Sequence, residues 1–142
     1  VFIQPEWIQA VAGSNTLLAN MAGVVFGVFM YFPTLVEVPI AKMFLSLGMH
    51  PGPLIAYLMA DPELSLQSIL ITTAIIGRRK AWTYVALVAL FSTLAGLTYG
   101  AWVDGASPGL LALAIGGFVA LLLAGLHWIE TRTKFAMEKE MR

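Results

Sequence analysis

The chain has 142 residues, 59% of them hydrophobic and only 11% charged, with zero formal net charge and no cysteine. A soluble domain carries roughly 25% charged residues, so this composition excludes an ordinary soluble globule and points to a membrane protein. Balanced charge excludes a nucleic-acid surface, and the lack of cysteine excludes disulfides, thiolate metal sites and cysteine nucleophiles.

The opening stretch "VFIQPEWIQAVAGSN" starts at Val1 rather than Met, which reads as a fragment, a processed product or the ordered part of something longer. No short basic segment precedes an apolar one, so no secretory signal peptide is expected. Trp7 marks this stretch as an interfacial lead-in or the frayed end of a helix. Spanning the hydrocarbon layer takes about 20 mostly apolar residues. Three runs meet that length: about 16–36, 81–103 and 108–129. Each carries small residues four apart: Gly23 and Gly27, Gly96 and Gly100, Ala112 and Gly116, Ala120 and Ala124. Such spacing either lets helices approach closely or reflects the general abundance of glycine in membrane helices. Trp82, Tyr84, Tyr99, Trp102 and Trp128 lie near run ends, where an aromatic belt would put them.

Residues 33–77 behave differently. Pro33, Pro39, Pro51, Pro53 and Pro62, with Gly48 and Gly52, divide the region into short pieces, roughly 34–47, 53–59 and 63–76. The pieces stay apolar, so a broken-helix membrane segment is favoured over a soluble linker with surface helices. Each break frees backbone N–H and C=O groups that lipid cannot satisfy, and such backbone is tolerated only inside protein or around a cavity. Transporters use broken helices of this kind to bind solutes.

Charged residues fall at these breaks. Glu37 lies between Pro33 and Pro39 and is a candidate for proton or cation coupling, or else an interfacial carboxylate near Lys42. Asp61 precedes Pro62, the pattern of a helix N-cap followed by proline at the first helical position. Ser65, Ser68 and Thr72 share a helix face, beside Gln67 and Thr73, and would line a polar path or bond to neighbouring helices. His50 and His127 lack a further ligand at metal spacing, so no metal site and no cofactor are expected. No nucleotide loop or catalytic triad is visible, so an enzyme is not expected.

The basic residues cluster at Arg78–Lys80 and in the tail, 130–142. The last two runs form a hairpin between these clusters, turning at "DGASPG", so both clusters share one side. The positive-inside rule makes that side cytoplasmic. The tail reads as a solvated helix end, with Lys134–Glu138 and Glu138–Arg142 spaced for weak helical pairs.

The stretches "FPTLVEVPIAK", "GMHPGPLIAYLMADPELSLQSI" and "GRRKAWTYVALVALFSTLAGLTYG" resemble the predicted permease family that includes the organoarsenical efflux (ArsP-type) permeases. The resemblance runs from about Met21 to Gly100. It implies a polytopic protein of two related halves, each with a broken-helix motif, of which this chain matches one, by the order of its elements the second. Carried over, Pro33, Thr34, Glu37, Pro39, Gly52, Asp61, Pro62 and Ser65 would border the path of a substrate or ion. Some arsenical permeases carry cysteines near these motifs, and this chain carries none, so thiol handling of arsenic is not carried over from this half.

The expected fold is all-α: an integral membrane bundle with three full transmembrane helices and discontinuous half-helices, re-entrant ones among the options, forming one repeat of an inverted-repeat permease. Residues 1–129 would form the membrane domain and 130–142 a cytoplasmic tail. The expected function is half of a secondary transporter for a small solute, in a bacterial inner membrane. The facing half would come from a missing N-terminal region, a second chain or a second copy. The competing expectation is a small accessory subunit of a larger membrane complex, with a permease-derived fold and no transport.

Overall fold

The structure, a computed structural model, describes residues 4–30 and 34–140, all in helices or short connections and with no strand among them. The elements are α1 (Pro5–Ala12), α2 (Leu17–Phe29), α3 (Thr34–Ser46), α4 (Pro51–Leu64), α5 (Leu66–Ile76), α6 (Arg78–Val103) and α7 (Pro108–Glu140). They divide into two compact units, residues 1–105 and 106–142. The fold is therefore the all-helical membrane bundle expected from composition. In the second unit α7 runs unbroken to Glu140, so the charged tail continues a helix whose first 18 residues, Pro108–Gly125, are apolar enough to cross a membrane.

Direction within the first unit follows from the close approaches of its glycines. A Cβ on Gly23 would sit 2.5 Å from the Pro53 carbonyl oxygen, and one on Gly27 would sit 3.2 Å from the Asp61 nitrogen. Advancing along α2 thus advances along α4, and the two helices run parallel. α6 runs the other way. His50, before α4, meets Asp104, after α6, while Glu63, near the end of α4, meets Tyr84, near the start of α6. Two parallel helices in succession require the chain between them to come back, and α3 makes that return. Its first turn holds Glu37, and Phe44 near its end packs with Ala12, Met49 and Leu54.

Lengths decide which helices cross. At 1.5 Å per residue, α6 (26 residues) spans about 39 Å, more than the ~30 Å hydrocarbon core. α4 and α5 (14 and 11 residues) bend by 44° at their junction and together match α6 as one broken span. α2 and α3, with 13 residues each, reach only about 20 Å. The first apolar run, 16–36, is accordingly divided: its helix stops at Phe29 at the depth of Asp61, and α3 turns back. Crossings by length and composition are α6, α7 and the bent pair.

Two buried clusters hold the first unit together. One joins Ala12, Phe44, Met49, Leu54 and Tyr57; the other joins Val24, Ala56, Ala60 and Leu64 to one face of α6. Between α2, α4 and α6 the contact is made by backbone. Gly52 and Gly96 let main chains touch, Gly100 makes room for the Asn15 side chain, and two asparagines bridge the elements: Asn20 Nδ2 donates to Asn15 Oδ1 (2.9 Å) and to the Thr16 carbonyl (2.8 Å), and Asn15 Nδ2 to the Leu97 carbonyl (3.0 Å). Asn20 Oδ1 is buried without a conventional donor and rests against Gly96, where a Cα–H supplies the weak contact common at such crossings. The spacings Gly23/Gly27 and Gly96/Gly100 are thus packing positions, as their four-residue period suggests. Ala112, Gly116, Ala120 and Ala124 lie on α7.

Candidate functional site

The two prolines that open α4 cost no hydrogen bond. Pro51 and Pro53 occupy the first turn, where backbone N–H groups have no intrahelical acceptor in any case. His50 supplies the cap: its Nδ1 accepts from the Gly52 N–H (3.1 Å), which leaves Nε2 to donate to Asp104 Oδ1 (3.0 Å). His50 is therefore a cap and a tie between helix ends.

The break lies at Ser65, not at Asp61. The Asp-Pro pattern predicts a helix start there, yet α4 continues through Asp61 and Pro62 to Leu64. Pro62 removes one N–H and crowds the Leu58 carbonyl, which the last turn of a helix can absorb. Ser65 then turns extended (ψ 145°) and caps α5, accepting from the Ser68 N–H (3.2 Å) while its hydroxyl donates to Ser68 Oγ (2.9 Å). With its backbone helical, Asp61 is released from capping and its side chain is wholly buried. α5 ends at Gly77, whose φ of 85° a side chain would rarely allow, and the chain reverses into α6.

Around this break the structure gathers only some of the residues singled out from sequence. Asp61 (0% exposed) and Ser65 (2%) lie one turn apart on the buried side of α4. Glu37 is half-buried in the first turn of α3. Thr34 is the first residue of α3, and Pro39 sits inside that helix with an exposed ring. Pro62 is exposed on α4. Gly52 is elsewhere: it lies nine residues before Asp61, about 14 Å up the helix, packed against Asn15 and the Gly96 carbonyl. Pro33 lies outside the described residues.

The residue that sequence reading missed is Tyr57. It is fully buried, its ring meets Phe26 (5.7 Å between centroids) and Phe44 (5.9 Å), and its hydroxyl has no hydrogen-bond partner among the described residues. The signal was present in its spacing, one helical turn before Asp61 in "YLMAD". Glu63 faces outward and accepts a 2.5 Å hydrogen bond from the Tyr84 hydroxyl, fastening the end of α4 to α6. Among the described residues no group of three potential metal ligands occurs.

Asp61 lies about 15 Å along α4 from Pro51 and four residues before the break at Ser65. An ionisable carboxyl buried in an apolar helical bundle is costly.

Comparison with known proteins agrees with this geometry. The model of the predicted permease family ArsP_1 matches residues 1–101. UPF0718 protein MJ0584 of Methanocaldococcus jannaschii is 43% identical over 98 residues, covering 69% of this chain and 27% of that protein. UPF0718 protein YraQ of Escherichia coli K12 is 31% identical over 85 residues, covering 60% of this chain and 25% of that protein. The chain thus spans about a quarter of the length of the curated relatives it matches. No solved structure matches it. The family match covers α1 to α6 with every helix break described above, and the chain, an integral membrane protein, belongs to this predicted permease family.

Proposed function

We propose that the chain is half of a secondary transporter that moves a small solute through a site bounded by the broken helices α2–α3 and α4–α5. The observation that carries this reading is the fully buried Asp61 and Tyr57 beside the α4–α5 break. No ATP-binding motif occurs in the sequence, so the driving force is an ion gradient, with Glu37 at the edge of the site as a coupling carboxylate. Pro33, Thr34, Pro39, Pro62 and Ser65 border the path, and Gly52 sets the spacing of the helices that enclose it. A facing half, from the remainder of a longer protein, a second chain or a second copy, completes the cavity. By the positive-inside rule, the basic residues Arg78–Lys80 and the charged tail each favour the cytoplasmic side of a bacterial inner membrane.

The test is uptake into proteoliposomes containing the complete assembly. A methylated trivalent arsenical and arsenite serve as first probes, because the family resemblance points to that class. Glu37→Gln is expected to reduce gradient-driven uptake by an order of magnitude, and unchanged uptake removes Glu37 from coupling. An assembly that moves no solute and purifies only as a fixed component of a large membrane enzyme establishes the accessory-subunit alternative instead.

A further inference from the structure

We propose that Asp61 and Tyr57 form a binding site for a small monovalent cation, a proton or a sodium ion, and that Glu37 stands at its mouth rather than at its centre. The inference rests on reading the break as a transport path, and it assigns the ion chemistry within that path. Three independent features carry it. The first is placement: Asp61 is 0% exposed and lies four residues before the Ser65 break. An ionisable group buried in an apolar helical bundle is costly and is kept where an ion or proton must be handled.

The second feature is the Tyr57 hydroxyl, fully buried and without a hydrogen-bond partner among the described residues. A buried hydroxyl left unsatisfied is destabilising. Its ring packs into a cluster with Phe26 and Phe44, which fixes where the hydroxyl lies. An oxygen fixed in this way offers a lone pair to a cation, or a relay point to a proton.

The third is the close packing of α2 at this level. A Cβ on Gly27 would stand 3.2 Å from the main-chain nitrogen of Asp61 and 3.3 Å from the main-chain carbonyl oxygen of Tyr57. α2 thus lies directly against α4 here, and it holds no titratable side chain. The charged and titratable groups of the surrounding elements are few. α3 brings Glu37, half-buried, and Lys42, exposed. α4 brings Glu63, engaged by Tyr84 of α6. Arg78, Arg79 and Lys80 stand in the first turn of α6, exposed. α5 has no ionisable side chain. The buried or half-buried carboxyl groups on α3 and α4, Glu37 and Asp61, are acidic, and this sign suits a cation.

Carbodiimide labelling tests the site without any transported solute. The complete assembly in liposomes is treated with dicyclohexylcarbodiimide, and adducts are mapped by peptide mass spectrometry. Asp61 is expected to label, and to label more slowly by an order of magnitude or more under one of two conditions. Slowing on raising the pH identifies a proton site, and protection by sodium chloride at fixed pH identifies a sodium site. Tyr57→Phe keeps the ring contacts and removes the oxygen. It is expected to leave the protein at least as stable to heat as the wild type while shifting the pH profile or weakening sodium protection by an order of magnitude. Asp61→Asn removes the adduct; should that variant fail to fold, the wild-type labelling and Tyr57→Phe carry the test.

An unlabelled Asp61 beside a labelled Glu37 overturns the assignment, as does labelling indifferent to both pH and sodium. An assembly that transports solute with Asp61 unlabelled counts against this site alone. One that shows the labelling behaviour but transports neither probe counts against the transport reading and leaves the cation site standing.

Discussion

Gly96→Ala is the sharpest probe of how the bundle is held. A Cβ at Gly96 would fall on Asn20 Oδ1, 2.6 Å from the Gly52 carbonyl oxygen and 2.8 Å from Ala56 Cβ. The Gly52 oxygen is backbone, so α4 must move away from α6 or the new methyl must stay compressed, at about 1–3 kcal/mol for overpacking. Asn20 must also rotate, which endangers its bonds to Asn15 Oδ1 and the Thr16 carbonyl, worth on average about 0.6 kcal/mol each inside a membrane. Opposing these losses, alanine is favoured over glycine inside a helix by about 1 kcal/mol. The net expectation is a destabilisation of about 1–3 kcal/mol. It is measurable by steric-trap or detergent-titration unfolding of the assembly in micelles. Asn20→Ala removes the side chain that the new methyl strikes, so the double variant is expected to be more stable than the sum of the singles by at least about 0.5 kcal/mol. Strict additivity, or a Gly96→Ala variant as stable as wild type, would refute the claim that α2, α4 and α6 meet through this contact.

Two further predictions address the helix ends. Ser65→Ala removes the hydroxyl that accepts from the Ser68 N–H, so it should cost about 1 kcal/mol. It should also speed amide exchange at Leu66–Ser68 while leaving α6 protected. His50→Ala removes both the α4 cap and the Asp104 contact, whereas His50→Asn keeps a capping oxygen. The asparagine variant is expected to be the more stable by about 0.5–2 kcal/mol in thermal unfolding, and equal stability would show that the cap contributes nothing.

How much of this was legible in the sequence depends on whether a feature is local. The prolines and glycines between Pro33 and Gly77 do divide the chain, and the pieces near 34–46 and 66–76 follow from them closely. The break itself is displaced from Asp61 to Ser65 because local pattern cannot weigh two competing caps. Asp61 followed by proline is a good start signal, but the packing of α2 along α4, through Gly23 and Gly27, continues past that point and keeps the helix intact. The four-residue glycine spacings were readable as packing marks, yet which helices they join was not. Gly96 meets Gly52, 44 positions earlier in the chain, and no period in either helix encodes the other.

The same limit hid Tyr57 and the two asparagines. Asn15 and Asn20 border an apolar run, where an unpaired amide is costly, so partners could be expected of them. Their identity, each other and the Leu97 carbonyl, depends on α6 folding back against α2. Tyr57 has no polar neighbour in sequence until Asp61, and only the rings of Phe26 and Phe44 fix where its oxygen lies. The parallel course of α2 and α4 requires α3 to return, and that return packs α3, with Glu37 in its first turn, against α4, which carries Asp61. Glycine contacts between helices far apart in sequence therefore decide which helices carry the acids side by side, while the prolines decide only that the helices stop.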